Sequence, residues 1–134
     1  MSLPTDVLAD VLGKGLAWLE RKRTQFLTRP VRYRRGLQEI NAAATIGTTI
    51  FRLDIGPGIT ERIEARDFLI AATDLAVLPA FQQPQRGDRV IETDATHRHS
   101  YEVIAPGHEP VWRWSDPNRA CYRIHTKLVK TEML

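Results

Sequence analysis

The sequence predicts a mainly β fold: a small six- to seven-stranded β-barrel or sandwich preceded by one N-terminal amphipathic helix. Three observations carry this. Helical periodicity is strong in one segment only, at the start. From Pro30 onward, short runs rich in Val, Ile, Thr and aromatics alternate apolar with polar residues, the two-residue period of a half-buried strand. Turn residues interrupt those runs about every dozen positions, the spacing of a small all-β domain.

The helix is expected over residues 3–28. Leu8, Val11, Leu12, Gly15, Leu16, Leu19 and Phe26 recur at three- and four-residue spacing and share a face. Ser2 or Thr5 can cap its start, Pro4 is tolerated in a first turn, and Asp6 and Arg21–Arg23 suit the dipole at either end. Pro30 ends it by disfavouring the α region at Arg29. The body then spans residues 31–130. VRYRRG (31–36), INAAATIGTTIFRLDI (40–55) and ITERIEA (59–65) read as strands, with Gly56-Pro57-Gly58 turning the second into the third. Residues 67–71 read as a further strand before an irregular turn, and 78–88 as a loop. RVIETDA (89–95), HSYEVIAPG (99–107), a Trp-bearing strand near 112–114 and ACYRIHTKLV (120–129) complete the set. In the last, Tyr122, Ile124, Thr126 and Leu128 are expected on the core face, and Cys121, Arg123, His125 and Lys127 on a basic, wet face. Asp116-Pro117-Asn118 fits a tight turn, with Asp accepting backbone hydrogen bonds and Pro presetting φ.

At 134 residues, 43% hydrophobic and 26% charged, the chain fits one folded domain, 1–134. No run is long and apolar enough for a bilayer, so no membrane contact is expected, and the start does not read as a signal peptide. One cysteine excludes an internal disulfide. Charge is uneven: residues 21–35 hold seven basic side chains and no acid, against a net charge of +3 for the whole. Such a stretch is either a solvated helix end and edge strand or a face for nucleic acid or an acidic protein.

The chemistry-bearing residues form no catalytic constellation. Cys121 and His125 lie about 13 Å apart along a strand at the usual rise, and Ser115 lacks the glycine frame of a nucleophile elbow. His97-x-His99 could offer two metal ligands, but a third would have to come from elsewhere. Glu92 and Asp94 share a face and read as outward acids on a solvated strand. No phosphate loop or dinucleotide fingerprint occurs. Neither enzyme activity nor a cofactor is expected. Trp112 and Trp114 share a strand face, Trp114 for the core and Trp112, beside Pro110, for a protein interface.

RGDRVIE, YEVIAPG and PVWRWSDPNRACYRIHTK together resemble the head–tail joining proteins of tailed bacteriophages and prophages, of the stopper or head-completion kind. The resemblance covers Val31 to Lys130 and is strongest from Gly87 onward. It implies a virion-assembly subunit at the head–tail junction, made in the host cytoplasm, that forms a homo-oligomeric ring between the portal or adaptor and the tail proteins. It also implies contact elements: the loop from Leu78 to Arg86, the turn at Asp116, Asn118 and Arg119, Trp112, and the basic residues Arg29, Arg32, Arg34 and Arg35. These last would face an acidic partner ring or packaged DNA. The alternative from the residues alone is a stand-alone OB-like nucleic-acid-binding barrel, stacking bases on Tyr33 and Trp112. A small hydrolase or toxin using His125 and Asp116 is a third reading.

Overall fold

The computed structural model describes residues 28–77 and 79–134. The expected helix over 3–28 lies, but for Thr28, outside them, as does Leu78 in the expected loop. Seven strands follow in order: β1 (Arg29–Arg35), β2 (Gln38–Gly56), β3 (Ile59–Ala71), β4 (Arg89–Thr93), β5 (His97–Val103), β6 (Trp112–Trp114) and β7 (Cys121–Met133). A four-residue helix α1 (Ala72–Leu75) and a 3-10 turn at Pro79–Phe81 separate β3 from β4. The two expected strands at 59–65 and 67–71 are one continuous β3, because Arg66 keeps the alternation between them and no turn residue interrupts it.

All pairings are antiparallel, in the order β3-β2-β1-β4-β5-β7-β6 within one sheet, and β7 also pairs with β3 through Arg66↔Thr126 to Ala71↔Cys121. The two ends of the six-strand run from β3 to β7 are thereby joined. Inside sit Val31, Tyr33, Ala44, Phe68, Ile70, Val90, Val103, Tyr122 and Ile124, with Leu75 and Phe81 from the β3–β4 connection. Each Val, Leu, Ile or Phe among them, fully buried, contributes about 1.5–3 kcal/mol of transfer free energy. Phe68 meets Tyr101, and Tyr33 meets Phe81, edge to face at 5.2 and 5.6 Å.

β2 and β3 extend well past the strands that flank them. β1 covers β2 only from Gln38 to Ala44, and β7 covers β3 only from Arg66 to Ala71. Among the described residues, 49–56 and 59–65 therefore pair only with each other, as a two-stranded ribbon turned at Pro57-Gly58. Gly58 has φ +72°, which only glycine adopts without strain. One ribbon face lies against the body: Phe51 meets His125 edge to face at 5.0 Å, and Leu53 lies over Gly107. The other carries the exposed Ile50, and Ile55 and Ile59 at the tip are exposed too.

Gly107 makes that contact possible. Its φ is +58°, and a Cβ there would stand 2.5 Å from a Leu53 methyl. Gly107→Ala should destabilise the domain by about 1–3 kcal/mol, through left-handed strain plus displacement of Leu53. Urea unfolding of the variant measures this, and an unchanged midpoint would show that Leu53 and the ribbon are free to shift away.

β7 departs from simple alternation. Cys121, Tyr122, Ile124, His125 and Thr126 are all buried, whereas Leu128 is 52% exposed. The face expected to be basic and wet is covered by Phe51 and Asp67 of the ribbon and its base. Leu128 lies beyond the stretch of β7 that β3 covers, which ends at Thr126, and the register shift against β5 follows it, between Leu128 and Lys130.

Candidate assembly surfaces

Of the expected contact residues, the four arginines of β1 divide sharply. Arg35 sits inside the fold's hydrogen bonding. Its Nε and Nη2 donate to the two oxygens of Asp88 at 2.9 and 2.8 Å, and Nη2 also donates to the Gln83 carbonyl at 2.8 Å. Asp88 is 3% exposed and also accepts the Tyr33 hydroxyl and the Gln85 backbone N–H. Burial, and then the Asp88 carboxylate beside it, push the Tyr33 phenol far above its ordinary value. Arg29 pairs with Glu92 at 2.8 Å and Arg32 with Glu39 at 2.9 Å. Arg34 has no acidic partner among the described residues. Its Nε donates to the Gly36 carbonyl, and its guanidinium borders an open cleft. A charge reversal meant to probe the surface therefore belongs at Arg32 and Arg34, because Arg35→Glu would strand a buried carboxylate.

Asp116 anchors its turn as expected. Its side chain accepts the N–H of Ala120 and of Cys121 at 3.0 and 3.2 Å, and its carbonyl accepts the Arg119 N–H at 3.2 Å. Asn118 and Arg119 project from the turn, exposed, with Arg119 at φ +56°. Trp112 and Trp114 are equivalent rather than divided between interface and core: both are half-buried, and both pack on Tyr122 at 4.7 and 4.8 Å. β6 is a three-residue edge, too short for either indole to be enclosed. Tyr33 is fully buried, so it offers no stacking surface for a base. His97 and His99 lie side by side at 6.0 Å, and His99 bonds Asp94 and Thr131. Among the described residues, no group of three or more His, Cys, Asp or Glu stands together to hold a metal. Asp94 is held well below the usual carboxylate range by the backbone N–H groups of Thr96 and His97, and by His99.

Two buried ionic clusters escape a reading by alternation. Glu92, expected outward, is 8% exposed and bridges Arg29 and Arg66, whose guanidinium lies 4.9 Å from the Tyr101 ring. Asp67 is fully buried. It accepts from His125 Nδ1 at 2.8 Å, from Arg123 Nε at 2.6 Å and from the Thr49 hydroxyl. Arg123 also reaches the Thr48 carbonyl at 3.1 Å, lying across Gly47, where the missing side chain leaves room. Asp67 thus ties the base of the ribbon to β7. The signal for both clusters was an acid adjoining a buried apolar run, as in Arg66-Asp67-Phe68-Leu69-Ile70, with arginines elsewhere to meet it.

These arrangements hold strands together and offer edges and charged patches, and none positions a nucleophile beside a base and an open site. None of the curated proteins compared matches the chain. The sequence model of a family described as phage head-tail joining protein matches residues 9–133. With nearly the whole chain covered and a mainly antiparallel β body beneath the match, the chain belongs to the phage head-tail joining protein family, structural proteins of virion assembly.

Proposed function

We propose that this chain is a connector subunit of the joining or stopper kind, whose six-strand run closes as a small barrel and which assembles as a ring between head and tail. The ribbon of β2 and β3 is the observation that carries this. Exposed strand edges and apolar side chains invite pairing with another chain, and monomeric proteins blunt them. Here Ile50, Ile55 and Ile59 are 45–60% exposed on a ribbon whose outer edges have no partner among the described residues. A ring of identical subunits in head-to-tail contact gives such a ribbon a place to dock. The loop over 79–86 and the turn at Asp116–Arg119 are further contact elements toward the portal or adaptor and the tail proteins. In this reading the protein resides in the virion, after assembly in the host cytoplasm.

The test is Ile55→Asp with Ile59→Asp. Both side chains are exposed at the tip, so the isolated subunit should lose no more than about 0.5 kcal/mol. Assembly should fail: sedimentation should find only monomer, and phage carrying the variant should yield separate heads and tails. Normal tailed particles from this double variant would refute the role given to the ribbon.

A further inference from the structure

A cleft of about 370 Å³ opens on the outer surface of β1, β4, β5 and β7, with Ile91 and Ser100 among its lining and Arg34, Arg89, Lys130 and Glu132 around them. Ile91 and Ser100 are buried, at 6% and 8% exposure. Arg34 and Arg89 are directly opposed in the β1–β4 register. Like charges so placed destabilise a sheet. Neither has an acidic partner among the described residues, whereas Arg29, Arg32, Arg35 and Arg66 each have one. Beyond the flanking Glu39 and Glu102, neither has an ion-paired acid among the described residues, and a carboxylate entering between the two guanidinium groups offsets their repulsion.

The same row of the sheet limits what can enter. Arg34 is opposed on its other side by Glu39, and Arg89 on its other side by Glu102. Positive potential is therefore confined to a spot two residues wide, fenced by acids, with Glu132 held 3.2 Å from Lys130 at the rim. A polyanion needs a continuous stripe of cations to neutralise successive phosphates. An acidic side chain on a short peptide needs one concave cationic spot beside an apolar contact, and Ile91 supplies that contact. We infer that this cleft is a docking site for an acidic peptide segment of a neighbouring protein in the joint, with Arg34 and Arg89 clamping its carboxylate.

This inference rests on the reading of the chain as an assembly component, but its test does not use assembly. Purified full-length protein is titrated with hexaglutamate, with hexaglutamine, and with a DNA duplex of about 20 base pairs at roughly physiological salt. Hexaglutamate should bind and hexaglutamine should not. Arg34→Gln with Arg89→Gln should weaken hexaglutamate by about tenfold or more, with no loss of thermal stability. Arg52→Gln with Arg62→Gln, a second opposed arginine pair lying on the ribbon, should leave it unchanged. Tighter binding of the duplex, lost in the Arg34/Arg89 variant, would reassign the cleft to nucleic acid and overturn the inference. Equal loss in both variants, or no binding of either anion, would also overturn it. Failure here would leave the ribbon and the ring untouched, and a failed ribbon test would leave the cleft.

Discussion

Replacing Asp67 by alanine should cost the domain about 3–5 kcal/mol, because the remaining Arg123 and His125 would be left at a buried site without the carboxylate that joins them. That is a large part of the 5–15 kcal/mol typical of a folded domain. Asp67→Asn keeps the shape and removes the charge, and should cost less, about 1.5–3 kcal/mol. The wild-type cluster also sets an acid limit. Burial alone would raise the Asp67 carboxyl, but hydrogen bonds from His125, Thr49 and Arg123 outweigh it and hold it below its ordinary value. A carboxyl with a depressed folded pKa contributes stability that is complete above the unfolded value near 4 and is lost as pH falls through the folded one. Denaturant midpoints measured from about pH 6 down to pH 2 should therefore fall more steeply for wild type than for Asp67→Asn. Parallel curves would mean that the cluster contributes nothing to acid sensitivity.

Asp88→Ala should be as damaging, again about 3–5 kcal/mol, since it removes the partner of a largely buried guanidinium and of a buried phenol together. Tyr33→Phe removes one hydrogen bond from a carboxylate that keeps its Arg35 and Gln85 donors, and should cost only about 1–2 kcal/mol. The two single variants and their double variant form a cycle measurable by urea unfolding. Strict additivity would argue that Tyr33 and Asp88 do not act as a unit. Tyr33 adds an alkaline limit: its phenol titrates above the unfolded value near 10, so its contribution is complete below that pH and lost as pH rises above it. Tyr101 and Tyr122 are shifted the same way by burial, so Tyr33→Phe should remove only part of the alkaline loss.

The strands were legible because their residues obey a local rule. The alternation in Val31, Tyr33 and Arg35, the turn at Gly56-Pro57-Gly58 and the backbone-capping Asp116 all depend on neighbours a few positions away. The ionic clusters were not, because each depends on strands far apart in sequence. Asp67 and His125 are 58 residues apart, and Tyr33 and Asp88 are 55. Alternation also assumes one wet face. That assumption fails on β7, where the ribbon covers the second face, and on Glu92, which two arginines allow inside. Arg34 was picked out by its place in a basic run. Its partner in the cleft, Arg89, lies on a different strand and was visible only through the register.

The joining of β3 to β7 has a consequence for how the chain reaches its native state. β2 and β3 form a local hairpin that can zip within microseconds, whereas Arg66 and Thr126 must meet across 60 residues. β7 is also the last strand in chain order, so during synthesis Phe68 and Ile70 stand without their covering strand until Cys121–Thr126 has emerged from the ribosome. Closure should therefore be the slow event, and mutations along the part of β7 that pairs with β3 should slow folding and not only speed unfolding. A nascent subunit would display its ribbon before it has a finished core, and could meet other copies while still incomplete.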